Sequence, residues 1–174
     1  MTSYVALLRG VNLGTRTLKS ADLRRIGIDA GYEAVATHLA SGNLIFTATA
    51  GSVADHEKSL AAAIGSQMKA KVPVTVRTKA QLEKAADGLR AAFPDADPRR
   101  LAIGFLDRPA DPGAANRLGT FGDDTYVVSG SELYLHYPNG QAKSKLIPTL
   151  IDRKLGVMCT VRGLGTVLGI IDKL

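Results

Sequence analysis

The chain reads as an α+β protein built from two successive β-α-β-β-α-β halves, and three observations predict this. Short apolar runs alternate twice, in the same order, with stretches of helical period. Pro94-Asp95-Ala96-Asp97-Pro98 is the strongest breaker and lies near the middle. A Ser-Gly pair stands at the central hairpin of each half, Ser41-Gly42 and Ser129-Gly130. This order is the split βαβ arrangement of ferredoxin-like units. The predicted class is therefore α+β, with duplicated ferredoxin-like units, mixed or antiparallel sheets and packed helices. The predicted boundaries are 1–78 for the first half, 79–98 for a connecting helix and linker, and 99–174 for the second half. One continuous mixed sheet is the competing arrangement.

The elements follow in order. Tyr4-Val5-Ala6-Leu7-Leu8 is a continuous apolar run, the pattern of a strand buried on both faces. Gly10 and Gly14 break it. Ser20 is placed to cap a helix, with Asp22 near its positive end and Gly31 as its stop. Ala34–Leu39 and Leu44–Thr47 are strands around Ser41-Gly42-Asn43. Gly51-Ser52 opens a helix with a Val53, Leu60, Ile64, Met68 stripe, and Val74–Val76 is the fourth strand. From Lys79 a helix turns Leu82, Ala85, Ala86, Leu89 and Phe93 inward. The second half repeats the order. Leu101–Leu106 is a strand, Pro112–Leu118 a short helix, and Thr125–Val128 and Leu133–Leu135 a strand pair. Leu146–Leu155 is a helix starting beside Pro148 and ending at Gly156, Val157–Val161 is a last strand, and an apolar tail follows.

Composition narrows the function classes. The 174 residues are 45% hydrophobic but only 5% aromatic, without Trp, so the core must be aliphatic. No apolar run approaches the roughly 18 residues of a membrane span, and no secretory leader pattern opens the chain. A single Cys159 excludes an intrachain disulfide and suits a reducing cytoplasm. The net charge of +6 keeps anionic partners open, but the basic residues are scattered along the chain, which favours a plain solubility role for them.

The chemistry concentrates in the first loop, Arg9-Gly10-Val11-Asn12-Leu13-Gly14-Thr15-Arg16. It joins a strand to a helix, where backbone N–H groups can hold an anion. Gly10 and Gly14 permit close backbone approach, Arg9, Arg16 and Lys19 supply charge, and Asn12 offers an amide. The alternative is a tight turn whose Asn12 bonds local main chain. The spacing matches neither the Walker loop nor the dinucleotide fingerprint. Ser41 and Asn43 are further ligand candidates, although their hairpin is expected at the opposite end of the sheet from this loop. Arg77, Lys79, Ser144, Lys145, Thr160 and Arg162 are expected at element ends, where they could line a groove.

Other constellations are weak. His38, His56 and His136 lack metal-ligand spacing, and His56, between Asp55 and Glu57, reads as an exposed first helical turn. Cys159 reads as packing and Asp123-Asp124 as a turn that could bind a metal weakly. No motif calls for a cofactor or a resident metal, and no nucleophile elbow occurs.

The segment Tyr4-Val5-Ala6-Leu7-Leu8-Arg9-Gly10-Val11-Asn12-Leu13-Gly14 resembles the A-L-L-R-G-I-N-V-G-G opening of the bacterial domain of unknown function 1697. Ser41-Gly42-Asn43-Leu44-Ile45-Phe46 is similar to that family's S-G-N-V-V-F hairpin. Val76-Arg77-Thr78 and Ser144-Lys145-Leu146 also fall where the family carries similar segments. The chain departs from the pattern at Thr15, where the family has a second Gly, and at Gly163-Leu164, where it has Asn-Trp. The resemblance implies a cytoplasmic bacterial protein with two ferredoxin-like halves, and no assigned reaction. Three expectations follow from the whole. The first is a small anionic ligand, phosphate or nucleotide-like, held by Arg9, Gly10, Asn12, Gly14 and Arg16, with Arg77 or Arg162 completing the site. The second is a nucleic-acid-binding module, disfavoured because Phe46 is the lone aromatic of its strand. The third is a non-catalytic assembly module.

Overall fold

Period-two alternation decides which face of each strand meets the helices. The computed structural model of the chain describes residues 1–14, 16–40 and 42–174, and of Leu13 and Arg16 the backbone only. The chain divides into two units, Met1–Leu82 with Gly169–Leu174, and Glu83–Leu168. It is α+β, with one four-stranded antiparallel sheet and packed helices in each unit. Pro94–Pro98 lies inside the second unit rather than at the division.

In the first unit, β1 (Thr2–Leu8) is followed by a small hairpin, β2 (Asn12–Leu13) and β3 (Arg16–Thr17). Then come α1 (Ser20–Asp29), β4 (Glu33–Thr37), β5 (Asn43–Ala48), α2 (Val53–Met68) and β6 (Val74–Thr78). The strand order is β4-β5-β1-β6, every neighbouring pair antiparallel. Tyr4, Ala6 and Leu8 of β1, Leu44 and Phe46 of β5 and Val76 of β6 face a core shared with Leu23, Ile26, Leu60 and Ile64 of the two helices. Burying each such side chain is worth about 1.5–3 kcal/mol. The alternate residues Val5, Leu7, Asn43, Ile45, Thr75 and Arg77 are buried as well, as the continuous apolar run of β1 predicts. Lys19, not Ser20, occupies the cap position of α1, without a side-chain bond. A full capping box of Ser52 and Asp55 starts α2.

Two expectations are corrected here. His56 is 4% exposed, not a solvated first turn. It shares the α2 face with Val53, Leu60 and Ile64, so helical period outweighs its acidic neighbours. The hairpin between β4 and β5 lies at the same end of the sheet as the first loop, not the opposite end. Leu7 pairs with Asn43 and Thr2 with Ala48, so the end of β1 stands beside the start of β5. Strands flanking an antiparallel neighbour run parallel to each other, so β1 and β4 must end together.

α3 (Lys79–Ala92), capped reciprocally by Thr78 and Gln81, carries the chain into the second unit. There follow β7 (Leu101–Leu106), α4 (Ala114–Leu118), β8 (Thr125–Ser129), β9 (Glu132–His136), α5 (Pro148–Leu155) and β10 (Cys159–Gly163). The strand order is β10-β7-β9-β8, again antiparallel throughout. Ala102, Leu106, Leu133, Leu135 and Cys159 pack with Leu118 of α4 and Ile151 and Leu155 of α5. Tyr137 closes this core, donating from its hydroxyl to the Leu146 carbonyl at 3.2 Å. The expected apolar tail is instead a helix, α6 (Leu164–Ile171), which buries Leu164, Val167 and Ile170. Among the described residues, no helix is long and apolar enough to cross a membrane.

The Ser-Gly pairs are out of step by one residue. Leu8 N–H donates to the Gly42 carbonyl, and Leu106 N–H donates to that of Ser131, each at 2.8 Å. Ser131, not Gly130, therefore occupies the place of Gly42. Ser129 pairs with Glu132 around a two-residue turn. His38 N–H instead reaches the Asn43 carbonyl across residues 39–42.

Candidate functional site

The first loop is built as a brace. As β1 ends, Leu8 N–H bonds Gly42 and Arg9 N–H bonds the Pro73 carbonyl at 3.1 Å. Gly10 and Gly14 carry φ of +72° and +61°, left-handed values that tie the sequence pattern to backbone geometry. Asn12 spends both ends of its amide locally. Its Oδ1 accepts from Leu18 N–H at 3.0 Å, and its Nδ2 donates to the Ala40 carbonyl. Gly42 fits because a Cβ there would lie 2.7 Å from Val11 Cγ2 and 2.9 Å from Leu8 Cβ. The loop and the hairpin are thus laced together by main-chain bonds, side-chain bonds and contact. Ser41 and Thr15 lie outside the described residues, as does the Arg16 side chain. Asn43 is fully buried and donates its Nδ2 to the His38 carbonyl at 2.8 Å, which closes the hairpin.

Arg77 and Arg162, expected at element ends, are each the penultimate residue of a strand, Val74–Thr78 and Cys159–Gly163. Arg77 pairs with Val5 in the first unit and is 6% exposed. Its Nη1 donates to the Val76 carbonyl at 2.9 Å and lies 3.9 Å from Glu57 Oε1. Glu57 also accepts Val76 N–H at 2.8 Å, which covers the open edge of β6. Arg162 pairs with Ile103 in the second unit and donates its Nη1 to the Val161 carbonyl at 3.0 Å. Burial pulls its guanidinium down to about 10. The neighbouring Thr160 is also buried. In both positions the long side chain folds back on its own strand.

A cleft of about 930 Å³ opens in the second unit. One wall is the loop between α4 and β8, Thr120-Phe121-Gly122-Asp123-Asp124. The other comprises Asn139, Gly140, Lys143, Lys145 and Ile147 after β9, with Thr149, Leu150 and Arg153 on α5. Helical spacing sets Thr149 and Arg153, and Leu150 and Arg153, on one face. Two bonds tie the walls together. Asn139 Nδ2 donates to Asp123 Oδ2 at 3.1 Å, and Ser144 Oγ donates to Asp124 Oδ2 at 2.6 Å. Ser144 Oγ in turn accepts Leu146 N–H at 2.8 Å, holding the Lys143–Ile147 segment against the acidic loop.

The charges of this cleft are unequal in their partners. Arg90, Arg99, Arg108 and Arg117 of the same unit each pair with an Asp. Among the described residues, none bonds or pairs with the side chain of Lys143, Lys145 or Arg153. Among the described residues, no group of three His, Cys, Asp or Glu side chains is arranged to hold a metal.

Sequence reading singled out Lys145 and Asp123-Asp124 but not their convergence, and it passed over Asn139, Lys143, Thr149 and Arg153. The available signal was two lysines spaced by one residue between the Pro138-Asn139-Gly140 turn and the Pro148 helix start.

A solved structure with a similar fold is described as that of conserved bacterial protein SP0830 from Streptococcus pneumoniae. It is 20% identical with a TM-score of 0.78, over 99% of this chain and 97% of that one. No curated protein matches the chain. Residues 1–134 match the family described as protein of unknown function (DUF1697), and the chain belongs to that family.

Proposed function

We propose that this protein binds a small anionic, phosphate-bearing ligand, and that the cleft of the second unit is its site. The observation that carries this reading is the set of three cations, Lys143, Lys145 and Arg153, lining one concavity without a side-chain partner among the described residues. Like charges gathered in one concavity focus a positive potential that an external anion can neutralise. The first loop was the more obvious place for an anion, but the amide of Asn12 is engaged at both ends. We read Arg9, Gly10, Asn12 and Gly14 as the brace that joins loop to hairpin.

The same reading takes the two units as duplicated ferredoxin-like halves in a cytoplasmic protein. Supporting duplication, the fourth strand of each sheet carries Thr-Val-Arg, Thr75-Val76-Arg77 and Thr160-Val161-Arg162. Both arginines donate Nη1 to the preceding carbonyl. The bond from Arg9 N–H to Pro73 is matched by Asp107 N–H to Met158. The lone, buried Cys159 suits a reducing compartment. A nucleic-acid role has less support, because Tyr4 and Phe46 point into the helix-side core rather than forming a stacking platform.

Thermal unfolding with inorganic pyrophosphate tests the site. At 100 times its Kd the ligand adds about 2.7 kcal/mol, and a chain of this size gains roughly 2–4 °C per kcal/mol. The rise should shrink with added salt and vanish in a Lys143→Gln, Lys145→Gln, Arg153→Gln variant that retains the native Tm. An equal rise in that variant, or no rise in the native protein at millimolar pyrophosphate, refutes the assignment.

A further inference from the structure

Resting on that reading, we infer that the ligand is a nucleoside monophosphate, its phosphate on the basic wall and its ribose on the acidic loop. Three features of the cleft lead there. The first is size. A volume of about 930 Å³ lies near the top of the range for sites that enclose a drug-sized molecule, roughly 300–1,000 Å³. A lone phosphate would leave most of it filled with water.

The second is polarity. Asp123 and Asp124 line the same cleft as the cations, and among the described residues each is bonded through one oxygen, Oδ2, to Asn139 or Ser144. The remaining Oδ1 atoms keep acceptor capacity for a ligand. A purely anionic ligand would meet repulsion there, so the bound molecule must carry donors at that end. Vicinal hydroxyls are neutral donors suited to a carboxylate acceptor, the same chemistry by which dinucleotide sites hold a ribose.

The third is the apolar surface. Ile147 is 47% exposed, with Phe121 and Leu150 half-buried beside it in the lining. An unsheltered isoleucine at the mouth of a charged cleft gains from covering by a flat, weakly polar body. Phosphate, hydroxyl pair and flat base together describe a nucleoside monophosphate. A sugar phosphate satisfies the first two features and leaves the third unused.

Calorimetric titration of the native protein with adenosine 5′-monophosphate, uridine 5′-monophosphate, ribose 5-phosphate and inorganic phosphate tests the class. At least one nucleotide should bind about tenfold or more tightly than ribose 5-phosphate or phosphate. Ile147→Ser changes an exposed side chain and should weaken nucleotide binding several-fold while leaving phosphate unchanged. Asp123→Asn should weaken the nucleotide but strengthen phosphate, because it removes a negative charge. Equal affinity for all four ligands, each lost in the Lys143→Gln, Lys145→Gln, Arg153→Gln variant, overturns the nucleotide class and keeps the anion site. Ribose 5-phosphate binding as tightly as either nucleotide, with Ile147→Ser silent, overturns the base contact and with it the class. Absence of binding by every probe overturns both readings.

Discussion

Replacing His56 with Phe isolates the contribution of one buried titratable ring. The imidazole sits among Tyr4, Tyr32 and Phe46, with ring centroids 4.8, 5.3 and 5.5 Å away. Its Nδ1 is 3.1 Å from the Tyr32 hydroxyl, while Nε2 is buried without a partner among the described residues. Burial lowers its pKa, and the nearby Asp55 only partly opposes this. The imidazolium is therefore disfavoured in the fold, and the unfolded chain takes up the proton first. Stability is full above the unfolded value, near 6.5, and is lost as pH falls below it, by at most about 1.4 kcal/mol per pH unit. At pH 7.5, His56→Phe forfeits a hydrogen bond worth about 0.5–1.5 kcal/mol and removes an unsatisfied nitrogen costing about 1–3 kcal/mol. The larger ring also presses toward Gly51, where an added Cβ would stand 2.8 Å from His56 Cε1, at an overpacking cost of about 1–3 kcal/mol. These terms nearly cancel, so the variant should match the native protein within about 1 kcal/mol at pH 7.5. At pH 5.0 the native protein should have lost up to about 2 kcal/mol more than the variant. Urea unfolding followed by circular dichroism at both pH values measures this. His38, whose pKa burial also lowers, is present in both proteins and drops out of the difference. The same pH dependence in both proteins refutes the buried, neutral assignment of His56.

Two further substitutions probe the frame. Ser52→Ala removes both the acceptor for Asp55 N–H and the hydroxyl bond to Asp55, and should cost about 1 kcal/mol in urea unfolding. Gly42→Ala meets Val11 and Leu8 while holding φ of +76°, so strain of about 1–2 kcal/mol adds to the contact penalty. Its loss should exceed that of Ser52→Ala, and hydrogen exchange at Leu8 N–H should quicken. Native stability in Gly42→Ala would mean that loop and hairpin are not laced as described.

Legibility in the sequence followed the strength of each local signal. The Leu101–Leu106 strand and the Pro148–Gly156 helix were readable because an apolar run and a Pro-to-Gly frame admit few alternatives. α6 was obscured because Gly165, Gly169 and the β-branched residues Thr166, Val167, Ile170 and Ile171 have weak helix propensity, which burial of Leu164, Val167 and Ile170 outweighs. His56 was misread because Asp55 and Glu57 are polar, although only the 53–56–60–64 face determines burial. The small β2–β3 hairpin was unreadable, since two-residue strands leave no periodicity.

The contrast between the first loop and the cleft explains why the site was the least legible part. Gly10, Asn12, Gly14 and Gly42 form a conspicuous cluster, and each is needed by backbone geometry or by bonds that close the loop on the hairpin. Such residues stand out because local geometry restricts them to a few types. Lys143, Lys145 and Arg153 are individually ordinary surface residues. What distinguishes them is that they line one cleft while, among the described residues, none pairs with a carboxylate, which depends on three segments meeting at residues 120–124, 139–147 and 149–153. In the same unit Arg117 reaches Asp111 at 2.6 Å and Arg99 reaches Asp97 at 2.8 Å, so these arginines are neutralised by a carboxylate near in sequence. The cleft keeps its cations because its own carboxylates are turned to Asn139 and Ser144. If those two bonds keep the carboxylates occupied, Ser144→Ala should free Asp124 to pair with Lys143 or Lys145. Pyrophosphate binding should then weaken without loss of a cation. Unchanged binding in Ser144→Ala would show that other contacts keep Asp124 from the cations.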